Sequence, residues 1–279
     1  EITNNIPKSI EIPSALNLKQ VEEGVELSLS IPAGVSNVHF TRYLDEYANY
    51  ETEPQNFDYC MPNSSEGETQ YFPEGTISFV DNFVEQGKTY QYGLLQYNSN
   101  ELYSNRILSN DKIYVDFEHA FLYDGKRQLK IKYNPKVSSF KEVLLESKID
   151  TIGGKHPFIF RNGKVEYKEF PISGLISCLS DEDFMFMDYQ HDNSTNLVSE
   201  NIAAERNFKL EVLDWLNNGE PKLFRSSTEG NYIVRLMNCS LAPVDVLGRM
   251  LHTFSATAIE IDNYDEEALM KYGFLATHT

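Results

Sequence analysis

The sequence predicts a mainly β protein built as two sandwich domains, the second carrying one packed helix. Three observations predict it. Apolar residues recur with period two over many short runs, the pattern of half-buried strands. Seventeen Tyr and seventeen Phe enrich the chain in residues that favour strands. The length of 279 residues suits two domains of ordinary size, each able to bury its own core.

The elements follow in order. Residues 1–11 read as a linker or edge strand, and residues 12–114 as the first domain. Leu16 and Leu18 alternate with polar residues, and after a turn at 23–24 so do Val25, Leu27 and Leu29. Residues 32–34 have turn composition. Val38, Phe40 and Arg42 then begin a strand that ends near Leu44. Residues 45–75, rich in Tyr, Glu, Asn, Pro and Ser, are loop chemistry with room for one short strand. Alternation resumes at 76–79. In the run 83–98 an apolar residue, a turn at Gly87 and Tyr90 open a long alternating strand.

The second domain takes residues 115–279. Runs at 129–133 and 143–149 read as strands, followed by a turn at 151–156. Asn162 and Gly163 lie between the apolar run 158–160 and the alternating Val165 and Tyr167, which predicts a tight β-hairpin there. The strand continues through 170–176. Residues 180–200 form an acidic loop or arm with Phe184, Met185, Phe186 and Met187 embedded in it. Four large apolar residues are costly to leave in water, so this arm is expected to contact another subunit.

A helix is predicted over about 201–217. Ala204, Phe208, Val212 and Trp215 fall on one stripe, and Phe208, Val212 and Trp215 form its core face. Ser199 or Asn201 caps its start, Glu205 and Lys209 pair across one turn, and Gly219 with Pro221 ends it. Strands at about 222–225, 231–240 and 249–261 follow, with a turn at Pro243. The acidic tail from Asp262 finishes in a short helix at 265–272.

Net charge is −18 and uneven. Residues 1–114 hold 17 Asp/Glu against 6 Lys/Arg, and residues 115–279 hold 25 against 18. So acidic a surface repels phosphate backbones, and no local basic patch is evident, so nucleic-acid binding is not expected. No apolar run approaches the roughly 18 to 20 residues that span a bilayer, so no membrane partner is expected. Cys60, Cys178 and Cys239 are odd in number and widely spaced, which argues against a disulfide framework. Cys178 and Cys239 read as small apolar core residues.

The motifs that carry chemistry are incomplete, and the chain is read as a non-enzyme without cofactors. The six His make no HExxH pattern, and His191 with Asp192 lacks a GxSxG nucleophile. Asp181, Glu182, Asp183, Asp188 and Asp192 share one loop, whereas acid–base work needs rigid placement. The acidic run 262–267 lacks the glycine and spacing of a calcium loop and reads as a helix start. Gly153, Gly154 and Lys155 are followed by His156 and Pro157, so they read as a turn and not as a phosphate loop. Tyr43, Tyr47, Tyr50, Tyr59 and Tyr71 are a candidate partner surface, since loop tyrosines stack on proteins or sugars.

Two resemblances arise from these residues. The Phe83, Gly87, Tyr90 run resembles the E–F corner of fibronectin type III domains, an immunoglobulin-like sandwich, over about residues 12–114. It implies that the Tyr90 hydroxyl bonds back to upstream backbone, with Leu27 or Leu29 filling the space of that family's strand-B Trp. In the second half, the run 146–163, the segment 170–177, the helix from Glu205 to Leu216 and the strands at 222–224 and 232–237 resemble tail structural proteins of bacteriophages. The nearest group is the tail-tip or baseplate proteins related to the distal tail protein and the tail tube, over about 120–261. That resemblance implies a tail-tube-like β-sandwich, assembly with copies of itself in a ring, docking of other phage tail proteins, and a place in the virion tail after folding in the host cytoplasm. A host-surface or carbohydrate-binding adhesin module is the alternative function.

Overall fold

The computed structural model describes residues 16–31, 37–44, 58–59, 75–97, 107–150, 155–177, 195–244 and 251–275. The chain is mainly β, with antiparallel sheets throughout the described residues. It divides into two compact units: residues 1–118 with 125–127 and 264–279, and residues 119–124 with 128–263. The division thus counts 115–118, 125–127 and 264–279 with the first unit, whereas the sequence reading places them in the second domain.

The first unit is a sandwich. Its strands are β1 (Asn17–Val21), β2 (Gly24–Ile31), β3 (Asn37–Leu44), β4 (Asp58–Tyr59), β5 (Gly75–Asp81), β6 (Thr89–Tyr97), β7 (Ile107–Leu108) and β8 (Ile113–Tyr114). One sheet has the order β1-β2-β5 and the other β4-β3-β6-β7, with β8 also on β6. The alternation read in the sequence is the burial that forms the core. Val25, Leu27 and Leu29 point inward from β2, and Val38 and Phe40 from β3. Across the two sheets Phe40 stacks on Phe79 with ring centroids 5.4 Å apart, a geometry that adds to the area buried.

A corner leads into β6. The hydroxyl of Tyr90 accepts a hydrogen bond from the Glu85 backbone N–H at 3.1 Å, so the upstream contact expected of Tyr90 is present. The sandwich also buries an ion pair. Arg42 Nη1 lies 3.2 and 3.0 Å from the two carboxylate oxygens of Asp81. Asp81 also accepts from the Tyr92 hydroxyl at 2.9 Å and from the Phe83 N–H at 2.9 Å. Arg42 in turn lies over the Tyr90 ring, 5.3 Å from its centroid.

The second unit holds β9 (Ala120–Tyr123), β10 (Gln128–Ile131), β11 (Tyr133–Val137), β12 (Lys141–Ile149), β13 (Phe158–Ser177), helix α1 (Thr195–Leu216), β14 (Lys222–Ser226), β15 (Gly230–Pro243) and β16 (Leu251–Asp262). Its sheet has the order β10-β9-β14-β15-β16-β13-β11, with β12 on β13. The two ends of that order, β10 and β11, are consecutive stretches of chain separated only by Lys132. The sheet therefore curls until one run of chain joins its first strand to its last. Gly174 permits the closure: a Cβ there would sit 2.3 Å from Ile131 Cγ2 and 3.2 Å from the Tyr133 carbonyl oxygen.

Helix α1 begins at Thr195, earlier than predicted, and ends at Leu216. Val212, Trp215 and Leu216 are buried in the core with Phe170, Ile172, Phe224 and Phe254, and Phe208 packs against it. The Trp215 indole N–H donates to the Asp124 carboxylate. The last helix, α2 (Glu266–Lys271), belongs to the first unit. Asp265 caps it by accepting from the Ala268 N–H at 2.9 Å, and Glu266 and Glu267 occupy the first turn, where the helix dipole favours anions. Just before it, the Tyr264 hydroxyl donates to the Phe83 carbonyl.

Candidate interaction surface

The twenty-residue strand β13 changes character along its length. From Glu169 to Ser177 it pairs with β16, and between Ile172 and Leu175 also with β11. From Phe158 to Lys168 its partner is β12 alone among the described residues. Strands β12 and β13 thus leave the sheet together as a two-stranded hairpin. Its root is pinned by aromatic packing: Phe140 lies 4.6 Å from Phe170 and 5.7 Å from Tyr232 between ring centroids. The Lys168 N–H donates to Glu260 at 3.0 Å.

Beyond the root, the hairpin exposes apolar side chains. Phe158 and Ile159 are 63% and 64% exposed, and Ile149, Phe160 and Val165 are also open. The register pairs Ile149 with Phe158 and Ser147 with Phe160. Paired residues point to the same face and alternate residues share it, so Ile149, Phe158 and Phe160 form one apolar face. The opposite face carries Ile159 beside Lys148 and Arg161. Arg161 binds Glu166 at 2.6 Å, and this guanidinium holds the Glu166 carboxyl below its ordinary value.

Asn162 and Gly163 are not the hairpin turn that the sequence suggests. They lie inside β13, at a register shift between the pairs Leu144–Glu166 and Glu146–Arg161. A turn at this dipeptide would fold 158–161 back onto 164–167. Both segments instead pair with the common partner β12, and the extra residues are absorbed as a bulge. The hairpin reverses in the segment between Ile149 and Phe158.

The charge also differs here. Residues 128–168 hold nine Lys/Arg against four Asp/Glu, so the chain does contain a basic stretch where the sequence reading found none. A running charge balance would have shown it. The apolar run 158–160 reads as a strand, but its pattern does not reveal that Phe158, Ile159 and Phe160 are exposed on both faces.

The candidate residues singled out from sequence fall elsewhere. Phe184, Met185, Phe186 and Met187 lie outside the described residues, as do Tyr47, Tyr50, Tyr71, Cys60, Cys178 and His191. Tyr59 falls on the two-residue strand β4. Tyr43 is a correction, because it is buried and cannot serve a partner. Thr41 on β3 is paired with Gly93 on β6, and a Cβ at Gly93 would meet Thr41 Oγ1 at 2.6 Å, the Tyr43 ring at 3.0 Å and Leu108 at 3.3 Å. The Thr41 hydroxyl and the Tyr43 ring share the space that the glycine leaves.

A polar cluster ends helix α1. Lys222 is buried, its Nζ donating to Asn218 Oδ1 at 2.8 Å and to the Glu220 carbonyl at 3.2 Å, 5.0 Å from the centroid of the Trp215 ring. Burial lowers the Lys222 pKa and raises that of the half-buried Cys239 thiol. These contacts tie the helix end to β14, a structural arrangement. Among the described residues no group of three or more His, Cys, Asp or Glu could hold a metal ion, and no helix is long and apolar enough to cross a membrane.

No protein-family model matches the chain, and no curated protein gives a significant match to it.

Proposed function

We propose that the chain is a structural component of a bacteriophage tail, at the tail tip or baseplate, acting through protein–protein assembly. One observation carries the assembly part of this reading: a hairpin rooted in a closed sheet holds Ile149, Phe158, Ile159 and Phe160 out in solvent. Isolated apolar side chains on a surface need no explanation, but neighbouring ones gathered on a projecting hairpin are the mark of an interaction site. The phage-tail part rests on the sequence resemblance of residues 120–261. The strand partition of the first unit, β1-β2-β5 against β4-β3-β6-β7, supports an immunoglobulin-like reading of that unit. The adhesin alternative drew on the tyrosines of 43–71. Of these, the one whose side chain is described, Tyr43, is buried, so nothing on the described surface favours it.

The test is immunolabelling of virions. An antibody against the chain should decorate one end of the tail in electron micrographs. Labelling of the capsid, or of no particle, overturns the tail assignment.

A further inference from the structure

Residues 217–221 join helix α1 to β14. Asn218 and Gly219 are exposed in this joint. Gly219 adopts φ +75°, and a Cβ built on it would meet nothing within 4 Å. Its backbone N–H donates to no acceptor among the described residues. The Gly219 nitrogen is therefore unhindered and free to react.

The Asn218 side chain is held firmly. Its Oδ1 accepts from Lys222 Nζ at 2.8 Å and from the Glu220 N–H at 3.0 Å. Lys222 is itself fixed by burial, by the Glu220 carbonyl at 3.2 Å and by the Trp215 ring, whose centroid lies 5.0 Å from Nζ. Two donors at these distances on one carbonyl oxygen form the arrangement that stabilises an oxyanion. The amide carbon between this oxygen and the Gly219 nitrogen is thus both polarised and next to a nucleophile.

We infer that Asn218–Gly219 is a self-modification site, where the folded chain converts Asn218 to aspartate and isoaspartate through a cyclic imide. The Gly219 nitrogen attacks Asn218 Cγ, forms the N–Cγ bond and gives its proton to water. The electron pair of the carbonyl moves onto Oδ1. There Lys222 and the Glu220 N–H hold the oxyanion more strongly than they held the neutral oxygen. The pair returns as the Cγ–Nδ2 bond breaks, and ammonia leaves with a proton taken from water. Water then opens the ring at one of its two carbonyls. One opening leaves aspartate, the other isoaspartate, whose main chain is longer by a methylene. The aspartate keeps the Lys222 contact as an ion pair, whereas the isoaspartate lengthens the joint that aligns α1 with β14. The chemistry holds whether or not the chain belongs to a tail. Sequence alone does not single out this site, since Asn162–Gly163 is the same dipeptide. There, however, β13 pairs with β12 on both sides of the dipeptide and restrains its backbone.

Peptide mapping by mass spectrometry tests this on the full chain, incubated at neutral pH over several days. The readout is the small mass gain of amide to carboxylate at Asn218. A synthetic peptide of residues 213–224 in the same buffer carries the same dipeptide without the fold. The folded chain should react roughly tenfold or more faster than the peptide, and Lys222→Met should remove most of that advantage. Gly219→Ala should suppress the reaction in the chain, because it adds a Cβ beside the attacking nitrogen. A thermal midpoint close to the parent's shows that a variant is folded. Should Lys222→Met not fold, the comparison of chain with peptide decides alone. Three outcomes overturn the inference: a folded chain no faster than the peptide, a folded Lys222→Met that reacts at the parent's rate, or modification confined to Asn162.

Discussion

Two regions depart in opposite directions from the rule that apolar groups go inside and charges outside. In the first unit Arg42 and Asp81 are 5% and 0% exposed. In the second, Phe158 and Ile159 are almost two-thirds exposed. The departures differ in whether the chain itself resolves them. Asp81 accepts from Arg42, Tyr92 and the Phe83 N–H, so its buried charge is met by donors from β3, β6 and the corner after β5. No part of the described chain covers the outer hairpin in the same way. A buried carboxylate met by three donors is internal architecture, whereas an exposed apolar face on a projecting hairpin directs attention to a second molecule.

The largest expected effect breaks the first half of this comparison. Asp81→Ala removes the carboxylate and strands the Arg42 guanidinium in the core. Removing one partner of a buried ion pair costs about 3–5 kcal/mol. Denaturant unfolding should show a loss of that size. A loss below about 1 kcal/mol would mean that Arg42 relaxes to solvent and that the network is dispensable.

The second effect uses pH. Burial raises Tyr90 from 10.0 to about 12, with Arg42 and the Glu85 N–H opposing the rise. The folded-state pKa lies above the unfolded one, so the stabilisation is complete below pH 10 and is lost as pH climbs from 10 towards about 12. A shift of this size corresponds to about 3 kcal/mol. Stability measured from pH 9 to 12 should fall across that window, and Tyr90→Phe should flatten part of the fall. Tyr123, also raised to about 12 by burial and by Asp124, accounts for a further share. A Tyr90→Phe profile identical to the parent's refutes the assignment.

Local pattern carried much of this fold. Val25, Leu27 and Leu29 alternate in the sequence and are buried in the structure, and the stripe of Val212 and Trp215 faces the core. Such features depend on neighbours two to four residues away. What sequence could not show depends on distant partners. Tyr43 is buried beside Gly93, fifty residues later, whose missing side chain leaves room for its ring and for the Thr41 hydroxyl. Arg42 is buried because Asp81 meets it from another strand. Asn162 and Gly163 carry a true turn preference, but β12 pairs on both sides of them and overrides it. The hairpin escapes local pattern for the complementary reason: its strands are legible, while the absence of a covering layer among the described residues is a property of the whole sheet.

One substitution made at two glycines sharpens the comparison further. Gly24 opens β2 beside the buried network, and a Cβ there would lie 2.1 Å from the Asp81 carbonyl oxygen, a backbone atom that the β2–β5 ladder holds in place. Gly24→Ala must therefore displace the strand that positions the Asp81 carboxylate, at a cost of about 1–3 kcal/mol for overpacking. Gly163 sits in the hairpin bulge, where a Cβ would come 3.3 Å from Leu145 Cδ2, the far end of an exposed side chain that can turn aside. Gly163→Ala should change stability by less than about 0.5 kcal/mol, as surface substitutions usually do. Paired unfolding curves of the two variants read the difference directly. Equal losses would show that the hairpin bulge is as tightly constrained from within as the first core.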